Sequence, residues 1–303
     1  WQLMVFLRYI GTTGSGGCSA NMRSKFDIGR GTADLYKKRC ITAIRSLRPI
    51  YIRWPSKKER RKIEKRIRSN YNLPGCVAVA DGTLFPLTFA PQCKDAADYS
   101  GRKFPYSLTT MIVNDDQKRV IYYLAGFPGT AHDQKVYAST SLSKKPETHF
   151  TDKEYLIADS AMLNSPTVVA SFKAPRGRPI LERHEKFNTH LARLRITSEH
   201  TIGLLKGRFP WLRSIPMKVT EKRNSLKKIL RIIESIVILH NFLLSVDDEG
   251  NDKLREDDGS SSDDDSDDSD DELEGLLQMT VSNTEQNDER RQNLLFYLEE
   301  YIY

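Results

Sequence analysis

Residues 71–246 are predicted to form an α/β fold, a mixed sheet flanked by helices, and three observations carry that expectation. Three stretches, VAVADGTLFPL, FPYSLTTMIVNDD and RVIYYLAGFPG, are rich in the β-branched and aromatic residues that strands favour. A fourth, EYLIADSAM, follows a short helical pattern, TAHDQKVYAST. From residue 176 onward the period returns to that of helices, in RPILERHEKFNTHLARLRITSEHTIGLLKGRF and SLKKILRIIESIVILHNFLL.

Taken in order, residues 1–54 read as helical. WQLMVFLRYI is followed by a Gly/Ser loop, a short helix, a tight FDIGRGT turn and a longer basic amphipathic helix. A helix-turn-helix has this form, with Arg30 and Thr32 near the start of its second helix and Lys37, Lys38 and Arg39 beyond. An ordinary helical hairpin has it too. Residues 55–70, PSKKERRKIEKRIRSN, form a strongly basic connecting helix whose charges serve as a solvated face, a phosphate contact or a nuclear import signal. Asp115 and Asp116 mark a turn between the second and third strands, so the first three strands are expected to form an antiparallel meander. The next helix is expected to start from Gly129 with Thr130 as its N-cap, and the fourth strand to end in Asp159. Three strands, a helix, a fourth strand and further helices is the element order of a ribonuclease H-like fold. Residues 247–275 contain GSSSDDDSDDSDDELEG, an acidic low-complexity stretch expected to be disordered. Residues 276–303 end in NLLFYLEEYIY, a candidate short helix.

Charge is distributed unevenly. The chain of 303 residues has a net charge of +7, but residues 247–274 hold 16 acidic and 2 basic residues, a net of −14. Residues 1–246 hold 43 basic and 19 acidic, a net of +24. So positive a body is expected to attract a polyanion, nucleic acid first among them. The acidic stretch is expected either to act as a solubilising linker or to compete for the basic body, and its Ser260–Ser262, Ser266 and Ser269 are candidate phosphorylation sites. The apolar run from Ile229 to Leu244 is broken by Arg231, Glu234, His240 and Asn241, short of the roughly 20 apolar residues of a membrane span. No membrane partner is expected. Cys18, Cys40, Cys76 and Cys93 are scattered without a C-x-x-C pair, which suits reduced thiols better than a disulfide framework or a zinc module. The chain begins at Trp1 rather than methionine, so its N-terminus is expected to be incomplete.

Four carboxylates carry the chemistry. Asp81 is read as closing the first strand before a turn at Gly82, Asp159 as closing the fourth, Asp133 as opening the helix between them, and Glu199 as lying on a later helix. Phosphodiester cleavage uses two divalent ions roughly 4 Å apart, and a few carboxylates from separate elements suffice to hold magnesium. Each acid also has an ordinary reading: Asp81 and Asp159 as turn residues, Asp133 as a helix-start charge, Glu199 as an exposed partner of Arg195 one turn earlier. Their order and setting together favour a metal site. Gly203, on the face of Glu199 with Ile202 and Lys206, costs about 1 kcal/mol against alanine in a helix, which suggests close approach by another group.

At these segments, together with YSGRKFPYSL and GFPGTAHDQKVY, the chain resembles PIF/Harbinger-type DDE transposases and the domesticated nuclease-like proteins derived from them. The resemblance covers about residues 71–244 and, more loosely, 1–50. It implies that Asp81, Asp159 and Glu199 form the catalytic triad and that Asp133 is an additional metal ligand, the four holding Mg²⁺ or Mn²⁺. Candidate DNA contacts are Arg30, Lys37 and Lys38 of the helix-turn-helix, Arg102 and Lys103, and Lys206, Arg208 and Arg213 beyond Glu199, which also read as solvated charge. The expected activity is metal-dependent DNA cleavage at transposon ends and joining of the 3′ hydroxyl to target DNA, in the nucleus. Many members need a separate Myb-like DNA-binding protein, and a homo-oligomer is compatible with the resemblance. The chain departs from the family at Ala161-Met162, where members carry Gly-Tyr after the second Asp-Ser. The alternative is a domesticated, catalytically silent DNA-binding or scaffold protein of the same fold.

Overall fold

The structure is a computed structural model that describes residues 1–13, 19–101, 104–151, 153–174, 179–221, 224–247 and 284–301. Its centre is a five-stranded sheet of order β3-β2-β1-β4-β5. The strands are β1 (Cys76–Pro86), β2 (Ser107–Asn114), β3 (Val120–Pro128), β4 (Tyr155–Ala158) and β5 (Val168–Ala170). β1, β2 and β3 form an antiparallel meander, while β4 runs parallel to β1 and β5 parallel to β4. Cys76 to Ala80 are all buried, as suits the central strand of a sheet covered on both faces. The turn from β2 to β3 is built by Asp115, whose Oδ1 accepts the N–H groups of Gln117 and Arg119 at 3.0 Å each.

Two sequence expectations change here. Asp81 does not close β1 and Gly82 does not turn: Asp81 pairs with Ile112 and Gly82 with Met111, and the strand runs on to Pro86. Pairing along the β1–β2 hairpin overrides the local turn preference of Asp-Gly. Thr130 is not an N-cap either, because its N–H and Oγ1 both donate to the carbonyl of Asp98, at 3.1 and 2.8 Å. The helix begins at Asp133, with His132 in the N-cap position. β5, three residues long, is too short for a periodic signal and was not expected.

The helices are α1 (Gln2–Ile10), α2 (Ser19–Phe26), α3 (Arg30–Ser46), α4 (Arg48–Tyr51), α5 (Lys57–Tyr71), α6 (Asp133–Ala138), α7 (Ser141–Lys144), α8 (Glu182–Arg208), α9 (Asn224–Asp247) and α10 (Thr284–Tyr301). Val5, Phe6, Tyr9, Ile10 and Met22 share one apolar cluster with Trp211, Ile229, Ile233 and Ile236, so the N-terminal helices are continuous with the core. Arg48 (2.9 Å) and Arg45 of α3–α4 both pair with Glu234 of α9, itself only 4 % exposed. By length and composition α9 is long and apolar enough to cross a membrane, with a mean hydropathy of 1.8 in an 18-residue window within Asn224–Val246, contrary to the expectation from its interrupting charges. Its Ile229, Ile232, Ile233, Ile236, Val237 and Ile238 are buried in the core.

α5 starts with a capping box, in which Ser56 and Glu59 satisfy each other's backbone N–H groups. Its Ile63 and Ile67 point inward. α10 closes the same side: Leu294, Leu295 and Leu298 are buried with Tyr155, Phe172, Phe187, Leu191 and Leu194. The Arg291 guanidinium lies 3.9 Å from the centroid of the Phe172 ring, on which His184 also stacks at 3.8 Å. Because Leu295 is fully buried, Leu295→Ala is expected to cost about 2–5 kcal/mol, read as a lowered urea midpoint. A change near zero would show that α10 does not dock.

Candidate active site

The register of β1 with β4 sets Val79 level with Ile157. Carried two residues on, it sets Asp81 level with Asp159, the first residue past β4. Asp159 Oδ1 accepts the Ala161 N–H at 2.8 Å, forming a tight turn. Met162 is buried in the cluster beneath β4, and the Leu163 N–H donates to Gln134 Oε1 of α6 at 2.9 Å. The Ala161-Met162 pair thus belongs to a closed, anchored turn.

Strand alternation sends Asp81 to the face that carries Val79 and Phe85, towards α8, and Gly82 to the opposite face, towards α6. There the third aspartate meets the strand. A Cβ on Gly82 would fall 1.9 Å from Asp133 Oδ1 and 2.4 Å from Oδ2, so the Asp133 carboxylate occupies the place of a side chain. Glycine follows Asp81 because of this close approach. The sequence signal for it, a glycine inside a strand-like run, was visible but was read as a turn.

Electrostatics couple Asp81 and Asp133 to the neighbouring acids. Burial pushes Asp81 up to about 7, with the carboxylates of Asp133 and Asp159 adding to the rise and the Arg195 guanidinium opposing it. Asp133 is pushed up to about 6, first by burial and then by Asp159, against His132. Removing charge from water and gathering like charges both disfavour ionisation.

Glu199 is not in this group. It is exposed on α8, and neither Asp81 nor Asp133 feels it. The half-buried side chain that acts on Asp81 from this helix is Arg195, one turn earlier. Leu191 and Leu194 pack in the cluster of Val79, and Leu205 in that of Phe85. Between them in sequence lie the fully buried Ser198 and Thr201. At 3.6 residues per turn Arg195 and Glu199 share a flank, about 40° apart. From the sequence Arg195 is expected only as a partner for Glu199; in the structure it acts on Asp81. Which of the two leans over the aspartates depends on the helix's rotation, and spacing alone does not fix that.

Among the described residues, no three His, Cys, Asp or Glu side chains are gathered closely enough to hold a metal ion. The donor chemistry nevertheless suits a divalent cation: hard, half-buried oxygen ligands, with Asp133 and Asp159 raising Asp81 and Asp159 raising Asp133. Asp81, Asp133 and Asp159 would hold it, with Glu199 added only if its side chain turned inward.

The DNA candidates are dispersed. Arg30 and Lys38 are exposed on α3. Lys37 is engaged within the chain, paired with Asp34 at 2.7 Å and lying 4.7 Å from the centroid of the Tyr9 ring. Lys206 lies over the Phe85 ring at 5.9 Å, and Arg208 is half-buried. Arg213 donates to the Lys206 carbonyl at 3.1 Å. Arg102 and Lys103 lie outside the described residues. Nothing in the described chain comes within 4 Å of a Cβ built on Gly203, so the close approach suggested by this glycine is not made there by the protein itself.

The family described as DDE superfamily endonuclease matches residues 80–241, from the strand residue before Asp81 to the end of α9's buried face, and the chain belongs to that family. Among curated proteins, it is similar to Protein ALP1-like of Arabidopsis thaliana, with 21% identity over 250 residues, 78% of this chain and 59% of that protein. The chain thus spans less than two thirds of that relative's length. No solved structure gives a significant match.

Two expectations follow from the geometry. Gly82→Ala is expected to destabilise the fold by about 1–3 kcal/mol through overpacking, and the cost is expected to shrink when Asp133→Ala is added. Equal cost in both backgrounds, by urea unfolding, would contradict the close approach. Second, the raised carboxyls of Asp81 and Asp133 stabilise the metal-free fold below about pH 4, and that contribution is lost as pH rises through 6 to 7. In a chelator, Asp81→Asn is therefore expected to raise the melting temperature more at pH 8 than at pH 5. A gain independent of pH would contradict it.

Proposed function

We propose that the chain is a metal-dependent DNA endonuclease of the PIF/Harbinger transposase type, with a ribonuclease H-like core. The observation that supports this most is the convergence of electrostatic influence among Asp81, Asp133 and Asp159, inside a DDE superfamily endonuclease domain. When bound, Mg²⁺ or Mn²⁺ would activate the attacking oxygen and stabilise the leaving oxygen of an in-line phosphodiester displacement. The three aspartates hold this charge, and the hydrogen bond from Ala161 orients Asp159. Gly82 admits the Asp133 carboxylate, and Glu199, on the flank of α8, would complete the set if its side chain turned in. Water or a DNA 3′ hydroxyl is the nucleophile, so no protein nucleophile is needed. The body's excess of basic residues supplies salt-sensitive backbone affinity. Its substrate puts this activity in the nucleus, with sequence choice from the N-terminal helices or a Myb-like partner.

A second reading has its own observation. With Glu199 exposed and Arg195 acting on Asp81, the fold also suits a DNA-binding protein that no longer cuts. Nicking of supercoiled plasmid separates the two. The endonuclease reading expects cleavage that requires Mg²⁺ or Mn²⁺ and falls to the metal-free background in Asp81→Ala, Asp159→Ala and Glu199→Ala. DNA binding with no nicking by wild type, or nicking equal in all four proteins, would leave the silent binder.

A further inference from the structure

The cations of α5 divide into two sets. Arg60 and Arg66 face the body: Arg60 Nε pairs with Glu154 at 2.8 Å, and Arg66 grips Asp116 through two bonds of 2.7 and 2.6 Å. Lys58, Arg61, Lys62, Lys65 and Arg68 are exposed on the opposite side from Ile63 and Ile67, and make no ion pair among the described residues. Their spacing of three and four residues aligns them in one stripe. α5 has 15 residues, so the stripe runs along a helix about 22 Å long.

Residues 248–283 lie outside the described residues, but both ends of this 36-residue segment are anchored near α5. At one end, α9 reaches the β2–β3 turn that Arg66 also holds. His240 Nε2 is 3.0 Å from the Lys118 carbonyl, and the Phe242 ring meets Tyr51 edge-on at 5.9 Å. At the other end, Arg290 of α10 donates to the Lys153 carbonyl at 2.9 Å, next to the Glu154 that Arg60 holds. A chain of that length reaches at most about 120 Å, ample to run along α5 and return. Most of the acidic stretch, net −14 over 247–274, lies within it.

We propose that the exposed stripe of α5 is the docking surface of this chain's own acidic segment, residues 248–283. Fixed at both ends, the segment meets the stripe at an effective concentration on the order of millimolar, so weak pairing suffices. The contact occupies the cations of α5 and leaves the aspartate site to its substrate. It does not depend on catalysis.

Zero-length carbodiimide coupling of the full chain, read by mass spectrometry, tests it. Expected are cross-links from Lys58, Lys62 and Lys65 to acids of 248–274, at a yield independent of protein concentration. Amine labelling of the same lysines is expected to quicken several-fold when the segment's acids are changed to amides, and the difference to vanish in 1 M salt. Cross-links spread evenly over other exposed lysines such as Lys25 and Lys38, or labelling indifferent to the amide changes, would overturn the proposal. So would cross-links that join two chains and appear only at high concentration. If Lys58→Gln/Lys62→Gln/Lys65→Gln weakens duplex DNA binding equally in the wild-type and amide-substituted backgrounds, DNA is the occupant and the proposal fails.

Discussion

The withdrawal of Asp81 and Asp133 from water beside neighbouring aspartates, which raises both carboxyls, is the constraint on which the site depends. Asp81, Asp133 and Asp159 are delivered by a strand, a helix start and a strand end, and each is partly withdrawn from water. Folding has set like charges within electrostatic reach of one another and partly out of water, which raises Asp81 and Asp133. Arg195 offsets part of this cost at Asp81 alone. A site that only had to be stable would carry apolar or amide groups here, so the arrangement is intelligible as one kept for a cation.

The rest of the fold can be understood from that requirement. β4 stops at Ala158 while β1 continues to Pro86, which lets Asp159 come level with Asp81 at the end of the shorter strand. Gly82 lacks a side chain, and this lets an acid from the opposite face reach the strand. α8 carries the small buried residues Ser198 and Thr201 between the larger Leu194 and Leu205. The clusters that α9, α10 and the N-terminal helices complete hold these elements rigidly, as a constellation of charges requires.

Much of this was legible in the sequence, for identifiable reasons. The meander showed because β-branched residues and the Asp115-Asp116 turn punctuate it, and Asp159 showed because an apolar run of four ends just before it. What stayed hidden depends on contacts between distant segments. Asp-Gly looks like a turn unless one knows that β2 pairs through it. Thr130 looks like a cap unless one sees the Asp98 carbonyl that claims it. Arg195 and Glu199 are equivalent by spacing, and only the rotation of α8 against the sheet separates them. α9 reads as interrupted by charge, yet Glu234 is buried because Arg45 of α3 and Arg48 of α4 come to meet it.

The most direct measurement of the central claim is anomalous diffraction from crystals soaked in Mn²⁺. The account predicts a peak bounded by the carboxylates of Asp81, Asp133 and Asp159, at oxygen distances of about 2.2 Å. No peak at millimolar Mn²⁺ would contradict it.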